Sequence, residues 1–364
     1  MAIELDFDEL ETLINGVMAE ESGPVPEAEP ILAEEWMPVL LISSTPWSEH
    51  SDFSGVETRK VNAQELFNTT EVPNMLINQY RGFKQGVLPV PDIYEPNMDA
   101  LSTIIKSEVA KLKAILIGDT GCGKTSLLEY YAAMTGRPFC RVVWDQSTDD
   151  STLFGSLEVK SSGDGGMETY WNKSPLVKSM ALPAIVVQDE ISTGSAGQTM
   201  LLNPLLDRGQ VTITSHDDNV SETIDAHPEW LVFATDNAAG NGDDLDLYNS
   251  RNVLDQAIIN RFDLYQRVSY APESVERRLI TAFAGEAISD DDTRKLAKFS
   301  ALCHKGFTDR QITTAFSVRN LMAICKLVSL GESLQSAIKI NYFNRVAKSE
   351  QSDIAEMIRS IWGA

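Results

Sequence analysis

The sequence lacks the features that would place the chain in a membrane or in an oxidising compartment. Its longest apolar stretch, residues 180–187, contains Pro183 and falls well short of the roughly 18 residues that a membrane span requires. Only four cysteines are present, and their spacing is not that of metal ligands. We interpret all four as reduced thiols: Cys122, Cys140, Cys303 and Cys325. These absences predict a cytoplasmic protein without a membrane segment.

Basic residues are also scarce. The chain has 30 Lys and Arg residues against 53 Asp and Glu residues, which gives a formal net charge of −23 at pH 7. Because nucleic acids carry a dense negative charge, a general nucleic-acid-binding surface would have to be basic. We therefore expect that nucleic acid is not a partner, although a motor that acts on DNA through a locally basic pore stays open as an alternative.

The first 58 residues are acidic throughout. They contain no Lys or Arg and hold 14 of the 53 acidic residues, so the start of the chain lacks the positive region of a secretory signal. Apolar residues recur at helical spacing from Ile3 to Val17, which predicts one short amphipathic helix. Residues 20–30 have the composition of a flexible linker. The sequence leaves open whether this helix docks on a partner or folds back on its own domain.

A glycine-rich loop between an apolar run and an amphipathic segment organises the rest of the chain. Residues 113–128 read KAILIGDTGCGKTSLL, which contains the pattern G-x-x-x-x-G-K-[ST] with a strand before it and a helix after it. Glycines let the backbone N–H groups of such a loop converge on one point, to which the helix dipole adds its positive end. We predict that Lys124 reaches the β- and γ-phosphates of a nucleotide and that Thr125 offers its hydroxyl to Mg²⁺.

The loop as a whole is the predicted nucleotide-binding element. Its predicted binding residues are Gly118, Asp119, Thr120, Gly121, Cys122, Gly123, Lys124, Thr125 and Ser126. Such a loop reads phosphates rather than bases, so both ATP and GTP stay open as ligands.

Two adjacent carboxylates, Asp189 and Glu190, follow the apolar run of residues 184–187. Carboxylates at a buried strand end are costly unless a cation neutralises them. We predict that Asp189 holds Mg²⁺, directly or through water, and that Glu190 is the general base that polarises the attacking water. Gln188 departs from the usual pattern, in which an apolar residue precedes the aspartate.

Three further polar residues are candidates for the same phosphate site. Asn237 follows an apolar run and can hydrogen-bond the γ-phosphate or the water, although an ordinary Asx turn is an alternative. Arg261 precedes the last apolar strand, and in a ring it would act on a neighbour's nucleotide as an arginine finger. Arg319, at a predicted helix start, could reach the γ-phosphate from a C-terminal lid. A surface arginine is the alternative for both, and Arg251 is a weaker candidate for the same interface.

Apolar and amphipathic segments alternate from residue 114 to about residue 270, which predicts an α/β fold with a parallel sheet and helices on both faces. The predicted strands are Ala114–Ile117, Phe139–Val143, Ala184–Gln188, Trp230–Ala234 and Leu264–Val268. Two insertions, within residues 146–170 and 209–224, have the pattern of β-hairpins. The pattern then changes to helices only, near residues 272–285, 291–305, 317–330 and 332–348.

These patterns divide the chain into four predicted segments. An acidic helix and linker occupy residues 1–58, and a lead-in segment that ends in a helix occupies residues 59–112. An α/β nucleotide-binding core follows at 113–270, and a small all-helical lid at 271–364.

The motifs GDTGCGKT, VVQDE, FATDN, INRFD and FSVRN, in this order, resemble those of AAA+ P-loop ATPases. The segments at residues 137–159 and 233–263 narrow the resemblance to the MoxR-related group, and within it to the CobS-type ATPase subunit of aerobic cobaltochelatase. The resemblance runs from about Val61 to Arg319, so the acidic N-terminal helix lies outside it.

This resemblance implies a homo-oligomeric ring, expected to be a hexamer, with nucleotide at the subunit interfaces. By analogy Asn237 is sensor 1, Arg261 is the finger and Arg319 is sensor 2. The implied partners are a subunit with a von Willebrand A domain and a large chelatase subunit that holds the tetrapyrrole. Asn260 departs from the family, in which an Asp often precedes the finger. No cobalt site is expected on this chain.

We therefore expect Mg²⁺-dependent ATP hydrolysis that moves the core against the lid and drives metal insertion into a tetrapyrrole. One alternative is a MoxR-type remodelling chaperone that acts with a different von Willebrand A partner. A nucleotide-binding scaffold with little turnover is another, although it would need neither Glu190 nor Arg261.

Overall fold

A computed structural model of the protein describes residues 48–49, 53–161, 166–214, 221–237 and 256–363, all within one compact unit. A five-stranded parallel sheet lies at its centre. From one edge to the other its strands are β12 (Leu264–Arg267), β4 (Ala114–Ile117), β11 (Leu231–Asp236), β8 (Ile185–Asp189) and β5 (Phe139–Val143). All five predicted strands are confirmed, and their ends differ from the predicted ones by at most two residues.

Helices cover both faces of this sheet. The principal ones are α2 (Met98–Ala110), α3 (Lys124–Thr135), α5 (Pro175–Met180) and α7 (Asn203–Arg208). Because successive strand residues point to opposite faces, each face builds its own core. Leu116 and Phe233 lie in the hydrophobic cluster that includes α2 and α3, whereas Ile115 and Val232 lie in the cluster that includes α5 and α7. The prediction of a sheet covered on both faces is confirmed.

The lead-in segment forms a second, antiparallel sheet. Its strands are β1 (Ser48–Glu49), β2 (Glu57–Asn62) and β3 (Leu76–Arg81), and the short helix α1 (Ala63–Leu66) follows β2. The prediction that the lead-in segment ends in a helix is confirmed by α2, whereas β3 was not predicted.

A buried ion pair connects this second sheet to the core. Glu108 on α2 accepts hydrogen bonds from the backbone N–H of Asn78 (2.9 Å), from Arg137 Nη2 (2.8 Å) and from the Tyr131 hydroxyl (2.6 Å). The side chain of Arg137 has no exposed surface, and that of Glu108 is 3% exposed. The carboxylate therefore ties β3 to α2 and to the end of α3.

Both predicted hairpins are confirmed. The first pairs β6 (Gly155–Ser161) with β7 (Met167–Lys173), after the short helix α4 (Asp150–Phe154). The second pairs β9 (Gln210–Thr214) with β10 (Ser221–Asp225). Between and after them lie short helical turns: 3₁₀ turns at Ile191–Thr193 and Met200–Leu202, α6 (Ala196–Thr199) and α8 (Gln256–Ile259).

The chain after the central sheet is helical. Its helices are α9 (Glu273–Ala284), α10 (Asp290–Thr308), α11 (Val318–Ser329), α12 (Leu334–Asn341) and α13 (Gln351–Trp362), with 3₁₀ turns at Gly285–Ala287 and Phe343–Arg345. They surround a third hydrophobic cluster, which includes Leu296, Phe316 and Ile354. We call residues 273–362 the helical region.

One prediction for the helical region is wrong. The sequence analysis placed a single helix at 332–348 and none after it, whereas the structure ends α12 at Asn341 and adds α13. Tyr342 leaves the helical conformation, with φ −121° and ψ −57°, and its hydroxyl donates to the carbonyl of Thr314 at 2.6 Å. That buried side chain ends the helix, and the turn after it directs α13 back onto the third hydrophobic cluster.

Several predicted features lie outside the described residues. They are the N-terminal helix and linker, Arg251, the GNGD segment at 240–243 and the tip of the second hairpin at 216–219. In the part of the chain that the structure describes, no helix is both long and apolar enough to cross a membrane.

Candidate nucleotide-binding site

The glycine-rich loop joins β4 to α3, as the sequence predicts. Gly121 and Gly123 have φ values of +86° and +94°, in the left-handed region that glycine adopts without strain. Gly123 is the N-cap of α3, and no side chain caps the first turn of that helix. Backbone N–H groups at an uncapped helix start are suited to bind an anion such as phosphate.

Lys124 closes the loop on itself. Its side chain is almost completely buried, and Nζ donates to the carbonyls of Gly118 (2.6 Å) and Asp119 (3.0 Å) and to Asn237 Oδ1 (2.7 Å). Asn237 Nδ2 in turn donates to Thr120 Oγ1 at 2.9 Å. The predicted pair of Lys124 and Asn237 thus connects the ends of β4 and β11 around the loop.

Asp189, at the end of β8, receives hydrogen bonds on both carboxylate oxygens. Oδ1 accepts from the hydroxyls of Thr125 (2.7 Å) and Thr235 (2.5 Å). Oδ2 accepts from Arg141 Nε at 2.7 Å and from Arg141 Nη2. Burial raises the pKa of Asp189, but these hydrogen bonds and the charge of Arg141 outweigh it, and the net pKa lies below the ordinary value. The strand therefore ends in an ionised carboxylate.

Glu190 has an unusual backbone conformation. Its φ of 56° and ψ of 44° lie in the left-handed region, which costs a non-glycine residue about 1–2 kcal/mol. Such strain is concentrated at functional sites. The N–H of Glu190 donates to Thr235 Oγ1 at 3.0 Å, so one hydroxyl serves both acidic residues. This conformation turns the chain sharply after Asp189 and directs Glu190 to the cavity.

These residues line a cavity of about 750 Å³ between the core and the helical region. The predicted site residues in its wall are Thr120, Gly121, Cys122, Gly123, Lys124, Thr125, Ser126, Asp189, Glu190, Asn237 and Arg319. Gly118 and Asp119 are not part of the wall and contribute carbonyl groups to Lys124 instead. Arg319 is exposed in the cavity as the second residue of α11. Burial raises the pKa of the Cys122 thiol, so this cysteine is an unreactive part of the wall.

The helical region and the residues just before it contact the glycine-rich loop directly. The hydroxyl of Tyr270, which precedes the helical region, donates to the carbonyl of Thr120 at 2.8 Å. Thr308, at the end of α10, donates to Asp119 Oδ2 at 3.3 Å. A Cβ on Gly121 would lie 2.7 Å from the Cβ of Ser317, the N-cap of α11. A movement of the helical region would therefore change the contacts of the loop.

Arg261 is the predicted site residue that lies away from both this cavity and the glycine-rich loop. Its guanidinium forms two parallel hydrogen bonds with Asp207, at 2.8 Å from Nε and 3.0 Å from Nη2, and its side chain is 24% exposed. Asp207 lies on α7. A role for Arg261 within its own chain's site is thus not supported, and its role in trans stays a prediction.

Sequence reasoning missed two residues of the site, Arg141 and Thr235. Both are polar residues near the carboxyl ends of apolar strands, which is the one signal that could have identified them. Their contacts with Asp189 depend on the order of strands in the sheet.

Comparisons with known proteins agree with this geometry. Residues 113–262 match the family model of the AAA domain (dynein-related subfamily). This segment is similar to AAA domains. The chain is also similar to two curated proteins of the MoxR-related group, in agreement with the resemblance that the motifs indicate. The aerobic cobaltochelatase subunit CobS of Sinorhizobium sp is 22% identical over 290 residues, which cover 77% of this chain and 85% of CobS.

NorQ of Paracoccus denitrificans is 30% identical over 152 residues, which cover 42% of this chain and 53% of NorQ. Midasin of Giardia intestinalis is 28% identical over 196 residues, which cover 54% of this chain and 4% of midasin. The chain thus spans about half of NorQ and a small fraction of midasin, and most of CobS.

Proposed function

We propose that the chain binds ATP together with Mg²⁺ and hydrolyses it in a ring whose sites lie between protomers. One observation carries this proposal, two sets of hydrogen bonds that meet at the cavity from the adjacent residues Lys124 and Thr125. One set runs from Lys124 through Asn237 to the loop, and the other runs from Thr125 through Asp189 and Thr235 to Glu190. A scaffold that only bound nucleotide would have no use for the strained Glu190.

The oxygens of Thr125 and Asp189 fit Mg²⁺. They are 2.7 Å apart, and a hydroxyl and an ionised carboxylate are the hard donors that this ion prefers. Among the described residues, no group of three or more His, Cys, Asp or Glu side chains is arranged to hold a metal ion. Phosphate oxygens and water would supply the other ligands. When bound, Mg²⁺ would offset the negative charge that develops on the phosphates.

The chain's own residues divide the remaining work. Lys124 would exchange its bonds to the loop carbonyls for bonds to the β- and γ-phosphates. Glu190 would accept a proton from the attacking water, and Asn237 would orient that water or the γ-phosphate. Arg319 would bind the γ-phosphate from the helical region, which would act as a lid on the core of residues 113–270.

Arg261 would complete the site of an adjacent protomer. Its bidentate pair with Asp207 holds a planar, permanently charged group at a partly exposed position. An arginine supplied in trans makes turnover depend on assembly. We expect a hexamer, in line with the family resemblance.

We infer the client, which is the protein or process that the ATPase acts on, from the relatives of this chain. Similarity that covers 85% of CobS supports a CobS-like ATPase that works with a von Willebrand A-domain partner and a large chelatase subunit to insert metal into a tetrapyrrole. The higher identity to NorQ supports the second candidate, a MoxR-type remodelling chaperone with a different partner of that kind.

The hydrolytic proposal is tested by turnover of ATP and of GTP with Mg²⁺ over a range of protein concentrations. Wild-type turnover per chain should rise with concentration. Lys124→Ala and Glu190→Gln should each be inactive, and Glu190→Gln should retain bound ATP. Glu286→Gln, an exposed change in the helical region, is the matched control and should behave as wild type. Normal hydrolysis by either site variant would refute the role of that residue.

A mixing experiment tests the shared site. Lys124→Ala and Arg261→Ala should both be inactive alone, whereas a mixture should regain part of the activity. In the mixture some interfaces combine the intact glycine-rich loop of an Arg261→Ala protomer with the intact arginine of a Lys124→Ala protomer. No recovery from two variants that still assemble would refute the role of Arg261 in trans. A separate experiment, affinity capture from the native host with the Glu190→Gln variant, identifies the client. Recovery of chelatase subunits would favour the CobS-like ATPase over the remodelling chaperone.

A further inference from the structure

Arg141 lies in the cavity, and the mechanism above does not use it. It is the third residue of β5, the strand adjacent to β8, and it lines the cavity wall. Its guanidinium donates to Asp189 Oδ2 through two nitrogen atoms. Since Thr125 and Thr235 occupy Oδ1, the predicted metal ligand Asp189 has donors on both oxygens.

The charges explain why a guanidinium lies here. Asp189 is 1% exposed, and a buried carboxylate needs a counter-charge. Arg141 supplies one positive charge at hydrogen-bond distance. A Mg²⁺ ion held at Thr125 and Asp189 would supply two charges beside the same carboxylate, where the partly desolvated site strengthens repulsion between cations. Arg141 and Mg²⁺ are therefore alternative partners of one carboxylate.

We propose that Arg141 is the counter-ion of Asp189 in the nucleotide-free site and that it releases Asp189 when Mg²⁺ and nucleotide bind. This inference rests on the proposed function. Arg141 is then a positioning residue that sets the Mg²⁺ concentration at which the site loads. Removing its charge leaves Asp189 available to the ion, so a variant without the guanidinium loads at lower Mg²⁺.

The structure gives Arg141 room to move and a second partner. Its side chain is 42% exposed, unlike that of Asp189. Glu129, one turn after Thr125 on α3, lines the same cavity. Burial raises the pKa of Glu129, while the positive charges of Arg141 and Arg319 act in the opposite direction. Glu129 is thus a carboxylate within electrostatic reach to which the released guanidinium turns.

The test measures binding of a fluorescent, non-hydrolysable ATP analogue as a function of free Mg²⁺. Arg141→Gln should lower the Mg²⁺ concentration for half-maximal binding by about tenfold or more, the size expected for losing hydrogen bonds to a charged group. Arg141→Lys keeps the positive charge but loses the planar guanidinium. Its Mg²⁺ concentration for half-maximal binding should lie between those of Arg141→Gln and wild type. Glu129→Gln should shift the midpoint to higher Mg²⁺, because the released guanidinium then loses the carboxylate to which it turns.

The control is Arg294→Gln, which removes an exposed arginine on α10 that pairs only loosely with Asp291. Its midpoint should equal that of wild type. An unchanged or higher midpoint in Arg141→Gln would overturn the proposal. If that variant does not fold, a midpoint of Arg141→Lys equal to wild type together with no upward shift in Glu129→Gln would overturn it. Failure of the proposed function looks different, because wild type itself would then bind no analogue at any Mg²⁺ concentration.

Discussion

Glu276 is completely buried in the helical region, and its burial makes folding stability depend on pH. Among the described residues, neither of its carboxylate oxygens has a hydrogen-bond partner. His304 Nε2 lies 3.7 Å from Oε1, and the His304 ring stacks on Tyr270 with ring centres 3.9 Å apart. Burial raises the pKa of Glu276 from 4.5 to about 7 and lowers that of His304 from 6.5 to about 4. Between about pH 5 and pH 6 the Glu276 carboxyl is therefore mostly protonated and the His304 ring mostly neutral, so the pair is largely uncharged in this window.

The two shifts act on stability in opposite directions. Above pH 4.5 the unfolded chain releases the Glu276 proton while the folded chain keeps it up to about pH 7, so stability falls as the pH rises through this window. The full difference between the two pKa values corresponds to about 3 kcal/mol. His304 gives the reverse slope, because between pH 4 and 6.5 the unfolded chain binds a proton that the folded chain does not.

The substitution Glu276→Gln removes the pH dependence of stability that comes from Glu276 and retains the one that comes from His304. We expect the variant to differ little from wild type at pH 4.5 and to be more stable by about 3 kcal/mol at pH 8, where wild type must bury a carboxylate. For a chain of this size that gain corresponds to roughly 4 °C in Tm. The assay is thermal and urea unfolding at pH 4.5, 6 and 8, without nucleotide and with a chelator present.

The contribution of His304 is common to both proteins, so it cancels in the difference between them. Glu286→Gln, an exposed change in the 3₁₀ turn after α9, is the matched control, and its difference from wild type should stay within about 0.5 kcal/mol at every pH. A stability difference for Glu276→Gln that does not grow between pH 4.5 and 8 would refute the reasoning, because it would mean that Glu276 titrates alike in the folded and unfolded chain.

Three further predictions concern single contacts. Thr235→Val removes the hydroxyl shared by Asp189 and the N–H of Glu190, and should lower kcat for ATP by roughly thirtyfold, about 2 kcal/mol, in a steady-state assay. Gly121→Ala places a Cβ at φ +86° against the helical region, and should weaken binding of the ATP analogue by about tenfold at saturating Mg²⁺. Glu108→Gln leaves the buried Arg137 without its closest carboxylate, and should cost about 3 kcal/mol or more in urea unfolding.

Much of the central sheet could be predicted because its signals are local. Strands β4 and β8 are short, continuous apolar runs that end in glycine or acidic residues, and both faces of each are buried. The glycine-rich loop is likewise a contiguous motif whose flanks identify it. Neither prediction needed to know which strands are neighbours.

What could not be predicted depends on contacts between distant segments. β3 has the sequence LINQYR, with weak alternation, and it is a strand because it pairs with β2 and packs on α2 and α3. The end of α12 is set by Tyr342, whose hydroxyl finds the carbonyl of Thr314 some 28 residues away. In both places tertiary contacts decide what local propensity leaves open.

Gln188 illustrates how such a contact explains a departure from a motif. In the usual motif an apolar residue precedes the aspartate, and Gln188 departs from this pattern. In the structure Gln188 is fully buried, and its Oε1 accepts a hydrogen bond from the indole N–H of Trp144 at 2.9 Å. Trp144 follows β5, the neighbouring strand, so a polar side chain is tolerated where the adjacent strand supplies a donor.

The same strand order accounts for the state of Asp189. β8 lies between β5 and β11, so Arg141 reaches the carboxylate from one side and Thr235 from the other, while Thr125 approaches from the start of α3. In the sequence these three residues are separated from Asp189 by more than 40 positions. A motif can therefore name the carboxylate that is the candidate metal ligand, but only the sheet shows that a guanidinium already pairs with it. Under our proposal, this guanidinium leaves Asp189 when the metal binds.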